Sequence, residues 1–238
     1  MKKTNKISTQ KPGKSYSMAC ISACTTALLG SSVSACSDGE QENPYLTATQ
    51  VCDFTLDAAA ARVLERMGAT KKFGENYRDS TENYKDNPES FTLARTAQML
   101  HADITQRNSC YVYKADTGTG YPLIHVDFFA TDRYTKPDPS PKKRDPGDKF
   151  YSLGLYAKTQ GTEGAALYFK CSTRGGGKET PYVKATLYST PGETSPKATG
   201  QDLMTILGTM SRALAGQLGC AAEAALPAQI TEADQPSG

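Results

Sequence analysis

Cysteine carries most of the chemistry legible in this 238-residue chain, whose seven cysteines fall into three sets. Cys36 closes the run Val33-Ser34-Ala35-Cys36. That small-residue pattern looks like a bacterial lipobox, in which an exported chain is cut before the cysteine and the sulfur takes a diacylglyceryl group. Ahead of it stand Lys2, Lys3, Lys6, Lys11 and Lys14, then an apolar stretch from Met18 to Leu29. Residues 1–35 therefore read as an export signal. The apolar stretch falls short of the roughly 20 residues that cross a bilayer. An ordinary signal cut at another small residue, leaving Cys36 a plain thiol, is the alternative reading. Two or more acyl chains anchor stably, at about 0.8 kcal/mol per buried CH₂. Cys36 is thus the expected lipidation site and the membrane the expected first partner.

Cys20 and Cys24 leave with the signal, and Cys52, Cys110, Cys171 and Cys220 remain. Four cysteines in an exported chain suggest two disulfides, with three pairings open. The element order favours Cys52–Cys110, tying the domain entry to its first strand. It likewise favours Cys171–Cys220, tying a late strand to the end of the last helix. A Cys₄ metal site is disfavoured, because no C-x-x-C spacing exists and an oxidising compartment favours disulfides. No metal and no cofactor are expected.

The remaining constellations are weaker. Asp116-Thr117-Gly118-Thr119 matches an aspartic-protease tripeptide, but that chemistry needs two carboxylates sharing a proton and one copy is present. Asp-Thr-Gly is also ordinary turn chemistry. The run from Arg174 through Gly175, Gly176 and Gly177 to Lys178 has glycines and a lysine. It lacks the Ser/Thr and the following helix of a phosphate loop. Ser140-Pro141-Lys142-Lys143 fits S-x-x-K by letter within a proline-rich connection that cannot position it. The two histidines are His101 and His125. His125 and Asp127 share one strand face, an acid–base or metal pair in principle, yet no G-x-S-x-G nucleophile accompanies them. No catalytic residue is assigned, and an anchored hydrolase with an unrecognised site is the alternative to a non-enzymatic reading.

A binding face is better marked. Tyr156, Lys158, Tyr168, Lys170, Tyr182, Lys184 and Tyr188 alternate away from the apolar positions of their strands. Tyrosine stripes can grip sugars or proteins. Tyrosines also pair across strands for stability alone.

The elements that must position these residues follow from periodicity. Leu56 to Met67 repeats at helical spacing, with Thr55 as cap and Gly68 as stop. Leu93, Ala97, Leu100 and Ile104 mark a second helix near 89–105. From Cys110 the period becomes two. Strands are expected at 110–115, 122–131, 151–159, 165–172 and 183–189. A proline-rich connection covers 134–149, and a glycine turn covers 174–180. A capped helix follows near 200–218, its stripe Leu203, Leu207, Met210, Leu214 and Leu218. Helices, strands, then a helix predict an α+β domain: an antiparallel sheet of about five strands packed by N-terminal and C-terminal helices. The expected boundaries are signal 1–35, flexible tether 36–50, domain 51–222 and disordered tail 223–238.

The whole chain carries a formal +2, yet five of its 27 basic residues and none of its 25 acidic ones lie in the signal. The remainder has 22 basic against 25 acidic residues, a side-chain charge of −3. No nucleic-acid partner is expected from that balance.

Val51-Cys52-Asp53 with the Leu56–Met67 helix, the run Ala165–Cys171, and Gln217-Leu218-Gly219-Cys220 resemble a group of actinobacterial exported lipoproteins of unknown function. The similarity spans residues 51–221. It implies an envelope location and an α+β domain, and no catalytic residue. The reading is a lipid-anchored domain on the extracytoplasmic face of the membrane, binding or structural in role, whose partner is an envelope protein, a wall polymer or a small ligand.

Overall fold

Alternating residues such as Val183, Ala185 and Leu187 can bury one sheet face only if something covers it, and a long apolar helix does so. The computed structural model describes residues 45–75, 90–115, 117, 119–134 and 145–233. Residues 1–44, with the run ending at Cys36, lie outside the described residues, as do Asp116, Gly118 and Ser140–Lys143.

A single turn, α1 (Val51–Phe54), opens the domain and runs through left-handed backbone at Cys52, Asp53 and Phe54. Helix α2 (Ala58–Gly68) follows, then the short strand β1 (Phe73–Gly74), helix α3 (Leu93–Met99) and a 3₁₀ turn at Ile104–Gln106. Strands β2 (Cys110–Lys114) and β3 (Ile124–Thr131) come next. They are followed by β4 (Asp148–Tyr151), β5 (Tyr156–Gln160), β6 (Gly164–Gly175) and β7 (Lys178–Ser189). Helix α4 (Gly200–Gln217), the turn α5 (Ala221–Ala224) and β8 (Glu232–Ala233) complete the described chain.

The domain is α+β, and its antiparallel sheet has eight strands in the order β1-β2-β3-β7-β6-β5-β4-β8. That corrects the expected five. Two of the additions, β1 and β8, are two residues long and too short to show a period. The third comes from splitting the expected 151–159 strand. The backbone turns at Gly154, φ +61°, and β4 folds back beside β5, pairing Phe150 with Lys158. Gly176 and Gly177, both at positive φ, make the two-residue turn between β6 and β7.

Helix α4 lies against β5, β6 and β7 on one side and against α2 on the other. Thr199 and Asp202 form a full capping box at its start. Asp202 also pairs with Arg66 of α2, so one carboxylate both caps α4 and ties two helices together. Burial on α4 is wider than the expected stripe, including Met204, Ile206 and Thr209. The residues expected to be a disordered tail explain part of this. Ile230 lies so close over Gly208 that a Cβ there would sit 2.5 Å from its Cδ1. Beyond it, β8 pairs with β4. The tail expectation is therefore corrected for 223–233, while 234–238 lie outside the described residues.

Two more boundaries shift. Leu46 bridges to Phe73 and Ala48 is buried, so the end of the expected tether belongs to the domain. Asp57, not Thr55, caps α2, its Oδ1 accepting from the Ala59 and Ala60 amides. Both expected disulfides are formed, Cys52–Cys110 with Cα atoms 5.6 Å apart and Cys171–Cys220 at 5.4 Å. Among the described residues no helix is long and apolar enough to cross a membrane.

Candidate functional site

The sheet face turned away from α4 is built in cross-strand rows, because side chains at paired positions stand beside one another. One row runs Tyr111, His125, Tyr188 across β2, β3 and β7. Another runs Phe129, Lys184, Tyr168, Tyr156 across β3, β7, β6 and β5. All seven residues expected on a binding face lie on this side of the sheet. They do not stay equally available. Tyr168 is only 8% exposed, edge-on to Tyr156 at 5.9 Å, and Tyr156 is edge-on to Phe150. Lys184 sits over the Phe129 and Tyr168 rings at 5.3 and 5.2 Å. Lys158 is paired with Asp148 at 2.8 Å, and Tyr182 meets Tyr134 edge-on. Lys170 and Tyr188 are exposed. Much of the stripe is thus a cross-strand aromatic and cation–π cluster, with its open members at the margins.

The β2 end of this face holds the other concentration of functional groups. Asp127 is 6% exposed and fully engaged. Its Oδ1 accepts from Ser109 Oγ at 3.2 Å and from the Phe128 amide at 2.9 Å. Its Oδ2 accepts from Arg107 at 3.1 Å. Arg107 also donates through Nε to the Ala102 carbonyl and lies 4.3 Å over the Phe129 ring. Those three contacts fix the guanidinium in one place.

His125 stacks on Tyr111 with centroids 4.2 Å apart and planes 8° from parallel. Among the described residues its Nε2 is buried without a hydrogen-bond partner. Burial holds the imidazole below its ordinary pKa of 6.5, against an opposing pull from Asp127. Burial, with the Asp127 charge second, pushes the Tyr111 hydroxyl upward. The expected His125–Asp127 pair therefore shares a neighbourhood but not a catalytic arrangement. Asp127 is spent on Arg107 and Ser109, and Ser109 gives its proton to Asp127 rather than to His125. His101 is elsewhere, its Nε2 3.1 Å from Thr173 Oγ1.

Beside these groups a cleft of about 490 Å³ opens between α3, the 3₁₀ turn and β2. Arg95, Thr105, Gln106, Arg107, Ser109 and Tyr111 line it. Among the described residues β1 pairs with β2 at Tyr113 and Lys114. Two guanidiniums, an aromatic ring, a hydroxyl pair and an amide suit the binding of a polar or anionic group. Among the described residues no cluster of His, Cys, Asp and Glu could hold a metal ion.

Periodicity could not reveal this cleft. Arg107 meets Asp127 only because Cys110 pairs with Val126. That register depends on the whole hairpin. The polar run from Thr105 to Ser109 just before a strand was the available signal. The glycine run Gly175–Gly177 lies at the β6–β7 hairpin and leads into a strand, not a helix. No protein-family model, curated protein or solved structure matches the chain.

Proposed function

We propose that this chain is an exported lipoprotein, anchored through Cys36, whose domain binds an envelope partner without catalysing a reaction on it. The likeness to actinobacterial exported lipoproteins belongs to the same proposal. The observation that carries the binding role is the asymmetry of the sheet. One face is covered by α4 along β5, β6 and β7, and the other presents Tyr, Lys and Arg side chains that end in a cleft at β2. Ordering polar side chains around a cleft costs stability that a purely structural surface does not need to spend. The partner is an envelope protein or a wall polymer rather than a nucleic acid.

The test places a photo-crosslinking residue at Gln106 in the cleft, at Tyr188 on the open face and at Arg62 on the exposed side of α2. Each variant is irradiated in the cells that make the protein. Adducts from 106 or 188 and none from 62 support the reading. Equal adducts at all three positions, or none at any, overturn it.

A further inference from the structure

We propose that residues 225–233 form an exchangeable strap, and that two copies of this chain pair by trading it, each seating its strap on the α4 and β4 of the other. The strap leaves α5 at Ala225, whose φ is +46°, runs along α4 and ends in β8. Left-handed backbone is costly for a residue with a Cβ, which marks Ala225 as the hinge. None of residues 225–233 is buried. Leu226 and Ile230 are its partly buried hydrophobics, Leu226 beside Gly154 and Ile230 over Gly208. Arg212 donates to the Pro227 carbonyl at 2.8 Å, Gln201 to the Ile230 carbonyl at 3.0 Å, and the Ser152 amide to the Thr231 carbonyl at 3.1 Å. Lys149 and Glu232 pair at 3.0 Å with both side chains about half exposed. A segment that buries so little opens locally, at less cost than global unfolding.

The covalent frame leaves the strap outside it. Cys171–Cys220 ties the chain to β6 at the residue before α5. Both disulfide loops end at or before Cys220, so 225–233 can leave its place without opening either. What it vacates is a shaped seat. Gly208 of α4 leaves the space that Ile230 fills, since a Cβ there would lie 2.5 Å from Ile230 Cδ1 and 3.2 Å from Leu153 Cδ2. Beside the seat, β4 pairs with β5 on one side and with β8 on the other, Phe150 with Ala233 and Tyr151 with Glu232. Without the strap, β4 is an edge with unpaired backbone groups, a template for a strand from another chain. The seat is cut to this strap, so the occupant that matches it in side chains and register is the strap of a second copy. Exchange rebuilds the closed contacts between copies and changes the hinge alone, a low-cost route to a dimer. β4 and β8 stand at the opposite end of the strand order from β2, so this interface is separate from the cleft.

The test uses the native Lys149–Glu232 contact. Isotopically light and heavy forms of the folded protein, disulfides intact, are mixed in equal amounts over a range of concentrations. A carbodiimide then joins lysine amines to carboxylates in direct contact. Lys149 and Glu232 are joined within one copy in the closed chain and between copies in the exchanged pair, and mass spectrometry of the digest tells the two apart. Mixed-isotope Lys149–Glu232 peptides are expected, their share rising with concentration towards about half at full exchange. Gly208→Ala crowds the seat equally in both forms, so it should speed the approach to that plateau about tenfold and leave the plateau in place. Ala225→Gly relieves the closed hinge and should lower the mixed share about fivefold at a fixed concentration. If either variant fails to unfold cooperatively, the mixed share in the unaltered protein decides. Lys149–Glu232 peptides of a single isotope at every concentration, or no such peptide, overturn the proposal. So do mixed links formed in equal proportion at Lys178–Asp132, a pair that exchange leaves within one copy.

Discussion

Tyr111 and His125 lie face to face across β2 and β3, their ring centroids 4.2 Å apart and their planes 8° from parallel. The stack pins an aromatic ring beside the cleft. It also places a titratable ring in a site that disfavours its charge, since its Nε2 has no partner among the described residues.

The stability of the fold should therefore respond to pH through His125. Its folded pKa lies below 6.5 because of burial. Above that value the ring is neutral in both states and contributes no pH dependence. As pH falls through 6.5 the unfolded chain takes up a proton that the folded chain resists, so stability drops until the folded pKa is passed. Urea unfolding at about pH 7.5 and about pH 5.5 should show a smaller loss in His125→Phe, which keeps the stack without titrating. Equal losses in both proteins would contradict the assignment.

Asp127 is the keystone of the cleft wall. Asp127→Ala removes the acceptor for Arg107, Ser109 and the Phe128 amide. Their side-chain exposures of 17% and 9% mark the Arg107–Asp127 pair as largely buried. The substitution should cost about 2–4 kcal/mol, measured by urea unfolding. Asp127→Asn retains acceptors and should cost less. A change within experimental error for Asp127→Ala would show that the carboxylate does not hold the wall.

The disulfides close sequence separations of 58 and 49 residues. Each should contribute about 4 kcal/mol in the chain-entropy account. The Cys52–Cys110 bridge has a further task, since Cys52, Asp53 and Phe54 sit at φ of 52°, 57° and 56°. Successive left-handed residues are costly for side chains of this size. Replacing Cys52 and Cys110 by Ser should destabilise the α1 turn first, seen as faster amide exchange at Leu93, whose amide donates to Asp53. Unchanged exchange there would separate the turn from the bridge.

Cys36→Ser tests the anchor. The unaltered protein should fractionate with membranes and show acyl mass on Cys36, whereas the variant should lose the acyl mass and leave the membrane fraction. Acylation elsewhere, or a soluble unaltered protein, would refute the proposed attachment.

What the sequence made legible was local. Period-two alternation at Val183, Ala185 and Leu187 marks a strand with one covered face, and Thr199 with Asp202 marks a helix start. The cysteine pairing followed from which elements could meet. What stayed hidden was long-range or too short for a period. β1 and β8 are two residues each, and Gly154 turns an apparently continuous strand into two. Ile230 looked like part of a polar tail, although it packs on Gly208 of α4. The tyrosine and lysine stripe shares one sheet face. Its consolidation around Tyr168 depends on neighbours from three other strands. The cleft depends on a register, Cys110 beside Val126, that brings Arg107 and Ser109 to Asp127, which no single segment encodes.

The central claim is that the β2 end of the open face is where this domain engages its partner. Amide exchange read by mass spectrometry, with and without the native envelope fraction, tests it most directly. Slowed exchange concentrated at residues 104–109, with the exposed face of α2 unchanged, is the predicted result. Unaltered exchange at 104–109, or protection confined to α2, would contradict the account.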